Sequence, residues 1–340
     1  MSDRLPLARQ FLADAGWAGA RLEPLSGDAS FRRYFRVLNG VRPAILMDAP
    51  PGREDVRPFM RVGHALRDFG YSAPEIFAAD PENGFLILED LGDDLYNAVI
   101  ARGESEPTLY MAAIELLRDL HMRDVPSATP AFDNSRALRE VRLFVEWTLP
   151  ALLGGPVPAA AIASFEVLWR EILPPLFQER PVLTLFDFHV ENLIWLPQRT
   201  RLRQVGLLDY QDAVAGPASY DVVSLLEDAR RDVSPSVVQV ALEHYLIGAT
   251  SAAREAFLLS YALAGAQRNT RILGVFARLF LRDGKSGYLK LMPRVWGHLE
   301  TDLSSPPLAP LRAWFDRYVP APLRRAAPIP EAFAIAATAS

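Results

Sequence analysis

Asp187, Asn192 and Asp209 are the residues whose types and order could most directly do chemistry. Asp187 ends the apolar stretch "VLTLF", and Asn192 comes five residues later in a D-x-x-x-x-N pattern. Asp209 follows two further apolar stretches, "LIWL" and "VGLL". Phosphoryl transfer uses this order: a carboxylate at the attacking hydroxyl, then an amide and a second carboxylate that hold Mg²⁺. The alternative is an ordinary strand exit in which Asp and Asn cap the turn.

The elements around these residues favour the catalytic interpretation. "LIWL" and "VGLLDY" have the composition of two short strands, and the polar segment "PQRTR" joins them. Such a hairpin would fold Asp209 back beside Asp187 and Asn192. Oxygen ligands of this kind suit Mg²⁺, which takes few protein ligands and keeps several waters.

The chain changes character near residue 92. Residues 1–92 combine helices with short strands at 26–37, 43–50 and 84–92, and the segment 56–70 has helical spacing with Gly70 as its C-cap. Residues 93–318 are mostly helical in pattern, and 319–340 form a Pro/Ala-rich tail. We therefore expect an α+β protein with a small antiparallel β lobe and a larger, mostly helical lobe.

Composition excludes several function classes. The net charge of −5 argues against a broad nucleic-acid surface, and the absence of cysteine excludes disulfides and thiolate metal sites. No apolar run approaches the length of a membrane span, and the N-terminal segment lacks the pattern of a signal peptide. We expect a cytoplasmic protein that binds neither membrane nor nucleic acid; the oligomeric state is not predicted.

Longer strings resemble a known family. "LTLFDFHVENL", "LLDYQDA", "LLRDLH" and "GPASYDVVSLLED" resemble motifs of the aminoglycoside phosphotransferase and choline kinase group, which shares the bilobal protein-kinase-like fold. Within it, "SGDASFRRYFRV", "MDAPP" and "QRNTRILGVFARLFLRDGKSGYL" resemble the cell-wall-recycling anomeric sugar kinases. The resemblance implies ATP- and Mg²⁺-dependent phosphorylation of N-acetylmuramate and N-acetylglucosamine at C1, in peptidoglycan recycling.

The resemblance implies that the lobe of residues 1–92 binds nucleotide and that the lobe of residues 93–318 carries catalysis and acceptor binding. It also implies roles for individual residues. Asp187 would be the catalytic base, and Asn192 and Asp209 would bind Mg²⁺. The turn Gly27, Asp28, Ala29 and Ser30 would cover the phosphates. The hinge from Glu89 to Leu91 would hold adenine through its main chain.

Three departures from the family pattern affect the phosphate site. Met47 stands where a phosphate-pairing lysine is expected, the following helix offers His64 near the expected glutamate, and Leu185 replaces a histidine. Because residues 1–284 contain no lysine, an arginine must replace it, or Mg²⁺ must act alone. Strand alternation favours Arg33 if the face of Phe35 covers the adenine, and Arg32 if the register is shifted by one so that the other face does. The alternative is that both are surface arginines on a twisted strand.

The acceptor site is predicted mainly from the resemblance. Arg268, Asn269 and Arg271 would contact the acceptor, where an arginine suits the lactyl carboxylate of N-acetylmuramate, although periodicity alone favours an exposed helix face. Asp212 and His189 are further candidates beside the base. Residues 265–300 hold more basic than acidic residues, which argues against a polycationic aminoglycoside. A kinase for aminoglycosides or choline-like alcohols and a nucleotide-binding pseudokinase remain the alternatives.

Overall fold

The computed structural model describes residues 4–25, 31–39 and 42–325. In chain order its strands are β1 Arg21–Pro24, β2 Arg33–Leu38, β3 Ala44–Asp48, β4 Ile76–Asp80, β5 Phe85–Glu89, β6 Val182–Thr184, β7 Leu193–Trp195, β8 Val205–Leu207 and β9 Val214–Gly216. Its α-helices are α1 Leu5–Asp14, α2 Arg57–Asp68, α3 Tyr96–Ala101, α4 Glu106–Leu120, α5 Asn134–Leu143, α6 Leu149–Leu153, α7 Ala159–Ile172, α8 Ser219–Leu226, α9 Pro235–Tyr245, α10 Ser251–Asp283, α11 Met292–Asp302, α12 Ala309–Tyr318 and α13 Ala321–Arg325. Short 3₁₀ turns lie at Pro174–Phe177, Val190–Asn192, Arg201–Gln204, Ser286–Leu291 and Pro306–Leu308, and a π-helical turn lies at Phe144–Thr148.

The chain forms two compact units that do not follow chain order. The first contains Met1–Pro126 with Leu185–Ala213, and the second contains Ser127–Thr184 with Val214–Ser340. The predicted division after residue 92 follows the chain, whereas the first unit also gathers the segment that carries Asp187 and Asp209. All three residues of the predicted catalytic motif therefore belong to one unit.

A five-stranded antiparallel sheet forms the centre of the first unit. Its strand order is β1-β2-β3-β5-β4, and Phe35 of β2 pairs with Leu46 of β3. One face of this sheet buries Val37, Leu46 and Phe85 against α1 and Trp17. Since side chains alternate along a strand, Tyr34 and Arg36 of β2 lie on the opposite face.

The predicted helix at 56–70 and the predicted hairpin are both confirmed. In α2 a proline stands in the first turn, Phe59, Val62 and Leu66 are buried, and Gly70 follows with φ +90°. In the hairpin, β7 and β8 pair antiparallel with Leu193 opposite Leu207. The strands β1, β4 and β9 are additional to those predicted: β1 and β4 are short and mostly half-exposed or exposed, and β9 has only three residues.

The second unit is largely helical and is organised by the 33-residue helix α10. Thr250 caps its first turn by accepting a hydrogen bond from the Ala253 N–H (3.2 Å), and Gly284 ends it in the left-handed region at φ +69°. A Cβ at Gly274 would lie 2.5 Å from the Leu143 carbonyl carbon, so this position requires the close approach that glycine allows. Among the described residues, no helix has both the length and the hydropathy required to cross a bilayer.

Candidate active site

A cavity of about 400 Å³ lies on the face of the sheet opposite α1, entirely within the first unit. It adjoins the segment that follows β5 and the hairpin of β7 and β8. Three kinds of residue line it: apolar side chains, the segment 89–93, and the polar ends of the loops. They are Leu25, Tyr34, Arg36, Ile45, Phe59, Pro74, Leu88, Glu89, Asp90, Leu91, Gly92, Asp93, Leu95, Glu191, Asn192, Ile194, Leu208 and Asp209.

The segment after β5 is the predicted adenine hinge, and it forms one wall of this cavity. The side chain of Leu91 packs with Ile194 and Leu196 in a small apolar cluster, which holds the segment against β7. Within the described chain, the main chain of Leu91 makes no hydrogen bond. Glu89 is held in place by Arg199, whose Nη2 donates to Oε1 (2.6 Å). The hinge therefore presents a polar main-chain edge between apolar walls.

A tight turn after β6 sets the direction of Asp187. The Asp187 N–H donates to the Leu185 carbonyl (2.9 Å), and Phe186 between them has φ +75°. This is a γ-turn of the rare, strained kind. The Phe186 ring is only 1% exposed, so packing of the ring holds the backbone in this conformation. Catalytic positions often store strain of this kind.

Asn192 makes two hydrogen bonds that connect the loop after β6 to itself and to the segment after β8. Its Nδ2 donates to the Asp187 carbonyl (2.9 Å), and its own carbonyl accepts from the Leu208 N–H (2.9 Å). His189, which is 5% exposed, places Nε2 3.4 Å from Asn192 Nδ2. His189 thus supports Asn192 from within the protein. Because Nδ2 is engaged, Oδ1 is the amide atom of Asn192 suited to a cation.

Asp209 follows β8 in a left-handed backbone conformation, with φ +53°. The next residue, Tyr210, stacks on Phe59 of α2 with ring centroids 4.6 Å apart. The Asp209 Oδ1 accepts a hydrogen bond from Gln211 Nε2 (3.1 Å). Asp187, Asn192 and Asp209 also border one small cavity together, so the structure brings the three predicted residues to one place.

The two arginines at the start of β2 have different environments. Neither arginine lines the hinge cavity. Arg33 donates to Asp48 through both Nε (3.1 Å) and Nη2 (2.5 Å). Arg32 places Nη2 3.1 Å from Asp209 Oδ1, with Glu54 4.0 Å from its Nε. The sheet face that lines the cavity carries Tyr34 rather than Phe35, which is the condition under which alternation favours Arg32.

Neighbouring groups stabilise the charged form of Arg32 although its side chain is only 10% exposed. Burial alone would lower the pKa of Arg32, but electrostatic interactions with Tyr34, Asp209 and Glu54 raise it above the ordinary arginine value. A cation that is fixed and desolvated in this way interacts more strongly with a bound anion than an exposed one does.

Arg36 is a cavity residue that the sequence analysis did not identify. Its Nε donates to Asp90 Oδ2 (2.7 Å) and its Nη2 to Asp93 Oδ1 (2.7 Å), which links β2 to the hinge. The hydrogen bond from Arg36 lowers the pKa of Asp93. The sequence contains a pattern that could have identified it. Arg32, Tyr34 and Arg36 stand at alternate positions, and alternate residues of a strand lie on one face of the sheet.

The remaining predicted residues divide into three groups. Asp212 accepts a hydrogen bond from Gln211 Nε2 (2.9 Å), in the same unit as Asp187. Arg268, Asn269 and Arg271 belong to the second unit. The four phosphate-turn candidates, Gly27, Asp28, Ala29 and Ser30, lie outside the described residues.

The second-unit candidates have internal partners or deep burial. Arg268 is 3% exposed, and Asn269 Nδ2 donates to both Glu227 Oε2 (2.7 Å) and Asp302 Oδ2 (2.9 Å). Arg271 pairs with Glu140, with Nε 3.3 Å from Oε2. Their predicted role in acceptor binding stays a prediction.

The family follows from the sequence as a whole. The model of the phosphotransferase enzyme family matches residues 21–257, which is more than half of the chain and includes the three residues of the catalytic motif. The chain belongs to this family.

Curated relatives cover almost all of the chain. A protein of Caulobacter vibrioides named N-acetylmuramate/N-acetylglucosamine kinase is 39% identical, over 95% of this chain and 99% of its own length. A protein of Pseudomonas aeruginosa with the same name is 37% identical, over 88% of this chain and 90% of its own length.

Solved structures confirm the predicted protein-kinase-like fold. A choline kinase from Streptococcus pneumoniae matches with a TM-score of 0.61 at 16% identity, over 87% of this chain and 99% of that one. The GDP complex of an aminoglycoside 2'-phosphotransferase matches with a TM-score of 0.60 at 14% identity, over 89% and 99%. At these identities the likeness concerns the fold alone.

Proposed function

We propose that this protein is an ATP-dependent kinase that phosphorylates the C1 hydroxyl of N-acetylmuramate and N-acetylglucosamine. The observation that carries the proposal is the placement of Asn192 and Asp209 on the cavity whose wall is the Leu91 hinge, in the same unit as Asp187. The names of the relatives supply the acceptor, and the order of residue types supplies the reaction.

The cavity suits a nucleotide whose base lies against the hinge. Ile45, Leu88 and Leu208 offer apolar surfaces for a flat ring, and the main chain of Leu91 can exchange hydrogen bonds with its edge. Asp93, which Arg36 keeps ionised, lies at the same wall and can accept from a ribose hydroxyl. The phosphates would then extend toward Asn192 and Asp209.

The residues at that end fit Mg²⁺. Asn192 Oδ1 and the Asp209 carboxylate are hard oxygen ligands, and Mg²⁺ in nucleotide sites takes one or two protein groups together with phosphate oxygens and waters. When bound, Mg²⁺ would neutralise charge on the transferred phosphoryl group. The loop contact between Asn192 Nδ2 and the Asp187 carbonyl fixes the amide orientation in advance of binding.

Asp187 would act on the acceptor. The γ-turn at Phe186 holds the Asp187 backbone rigidly, so the carboxylate can orient the C1 hydroxyl and accept its proton as the oxygen attacks the γ-phosphate. Arg32 would take the role of the missing small-lobe lysine, since its charge is held beside Asp209 and Met47 is fully buried and uncharged. The pseudokinase alternative is less well supported, because base, amide and carboxylate are all present.

Four acceptors test this proposal. ADP release from MgATP should be measured with N-acetylmuramate, N-acetylglucosamine, kanamycin and choline, in the wild type and in Asp187→Asn. We expect turnover with the two amino sugars only, and its loss in the variant with nucleotide affinity retained. Phosphorylation at C1 removes the reducing end, so a reducing-sugar assay identifies the hydroxyl. Turnover with kanamycin or choline alone would replace the amino-sugar proposal, and nucleotide binding without any turnover would establish a pseudokinase.

A further inference from the structure

A second cavity of about 430 Å³ lies in the first unit beside the metal-binding end of the site. Its lining comes from the loop between β3 and α2 and from the residues after β8. These residues are Arg32, Gly52, Arg53, Glu54, Asp55, Pro58, Gln211 and Asp212.

Two of these residues connect the cavity directly to Asp209. Gln211 Nε2 donates to Asp209 Oδ1 (3.1 Å) and to Asp212 Oδ2 (2.9 Å), and Arg32 Nη2 lies 3.1 Å from Asp209 Oδ1. An acceptor must lie beside the γ-phosphate, and the proposed function places that phosphate at the cation held by Asp209. The hinge cavity is assigned to the nucleotide by the proposed function, and this second cavity reaches Asp209 through Arg32 and Gln211, which suits it to an acceptor.

The charged residues of this cavity differ in whether they have hydrogen-bond or ion-pair partners. Arg32 pairs with Asp209, Glu54 Oε1 accepts from the Phe31 N–H (3.1 Å), and Asp55 Oδ1 accepts from the Arg57 N–H (3.0 Å). Arg53 differs, because it is exposed and makes no ion pair with any residue that the structure describes.

The position of Arg53 is nevertheless defined. Its guanidinium carbon lies 4.5 Å from the centroid of the Phe31 ring, a cation–π contact that positions the group without neutralising it. A guanidinium held in this way can donate two parallel hydrogen bonds to a carboxylate. Across the cavity, Asp212 and Gln211 have the carboxylate and amide groups that bind sugar hydroxyls.

We infer that this second cavity is the acceptor site and that Arg53 recognises the lactyl carboxylate that distinguishes N-acetylmuramate from N-acetylglucosamine. This inference rests on the proposed function, and it assigns acceptor specificity to the first unit rather than to Arg268 and Arg271. The two sugars share their ring, their N-acetyl group and their C1 hydroxyl. Arg53 therefore acts on one substrate and not on the other.

The test is the ratio of kcat/KM for N-acetylmuramate to that for N-acetylglucosamine. In Arg53→Gln this ratio should fall about tenfold through a higher KM for N-acetylmuramate, as expected for the loss of one charge-assisted hydrogen bond. Arg53→Lys should keep part of the preference. The matched control is Arg57→Gln, since Arg57 is also exposed but does not line the cavity, and its Nη2 pairs with Glu82, which lies outside it. It should leave the ratio unchanged.

Each other result overturns the inference in a recognisable way. An unchanged ratio in Arg53→Gln, with both sugars still phosphorylated, contradicts the role of Arg53 and leaves the proposed function standing. An equal loss for both sugars with a raised KM for ATP would assign Arg53 to the phosphates. If the wild type phosphorylates N-acetylglucosamine alone, N-acetylmuramate is not a substrate, and Arg53 has no substrate carboxylate to recognise. If the wild type phosphorylates neither sugar, the inference and the proposed function fail together.

Discussion

Arg32 and Asp209 form an ion pair in which Nη2 lies 3.1 Å from Oδ1. The pair joins the residue before β2 to the turn after β8, so a cation at the edge of the sheet is held beside the carboxylate proposed to bind Mg²⁺. Met47, at the position expected for a lysine, is fully buried in β3. A cation therefore lies beside the proposed metal-binding end of the site, although it comes from the residue before a neighbouring strand and is of a different type.

Replacement of Arg32 should weaken the use of MgATP. Arg32→Gln removes the charge beside Asp209, and we expect KM for MgATP to rise about tenfold or more, with a fall in kcat if the cation also stabilises the transition state. Steady-state kinetics at saturating acceptor would measure both.

Arg33→Gln is the matched control for this change. Arg33 pairs with Asp48 whereas Arg32 pairs with Asp209, so KM for MgATP should stay within about twofold in Arg33→Gln. If Arg33→Gln impairs MgATP use as much as Arg32→Gln does, the assignment of the phosphate cation to Arg32 is wrong.

The pattern of the sequence is sufficient to predict the hairpin and the location of the catalytic motif. Asp187 follows an apolar segment, and Asp209 follows a second one that pairs with the strand after Asn192. The structure confirms these strands. They could be predicted because a short apolar stretch that ends at a polar residue has few other interpretations. The chemical roles of the three residues remain predictions.

The orientation of β2 could not be predicted from the pattern alone. Aromatic residues occupy both faces, with Tyr34 on one and Phe35 on the other. The packing of α1 decides between them, since it covers the face of Phe35 and Val37. The second cavity could not be predicted from the pattern either. Arg53 and Gln211 are far apart in sequence, and only tertiary structure brings them to one cavity.

Glycine should be better tolerated than alanine in place of Phe186, which reverses the usual order. Both substitutions remove a fully buried ring, at a cost of about 3–5 kcal/mol. Only glycine also relieves the positive φ of this turn, so Phe186→Gly should be more stable than Phe186→Ala by about 1 kcal/mol. Thermal unfolding midpoints of the two variants give the comparison. A lower midpoint for the glycine variant would show that the backbone of residue 186 is not strained in this γ-turn.

Gly63→Ala should reduce activity although alanine normally favours a helix. The new Cβ would lie 2.6 Å from the Tyr210 hydroxyl oxygen, so the ring next to Asp209 has to move. Tyr210→Phe removes that oxygen, which has no hydrogen-bond partner within the described residues. We expect kcat to fall in Gly63→Ala and to recover in part in the double variant, because ring carbons remain 3.2 and 3.3 Å away. Equal activity in the single and double variants would exclude this coupling.

The buried pair Glu227 and Asp302 in the second unit should make stability depend on pH. Both accept hydrogen bonds from Asn269 Nδ2, and burial raises the pKa of Asp302 well above its ordinary value and that of Glu227 from 4.5 to about 7. The folded protein therefore keeps a proton on Glu227 to a higher pH than the unfolded chain does. This contribution to stability is complete below the ordinary pKa of glutamate and is lost as the pH rises toward neutrality.

Glu227→Gln isolates this contribution. The amide is neutral at every pH and can donate to Asp302 in place of the shared proton. Between pH 5 and pH 8 the unfolding midpoint of the wild type should fall further than that of Glu227→Gln, and the variant should gain relative stability at pH 8. The comparison cancels the titration of groups that both proteins share. Parallel pH profiles would mean that Glu227 is ionised throughout this range, stabilised by Asn269 and the nearby charge of Arg268 against the cost of burial.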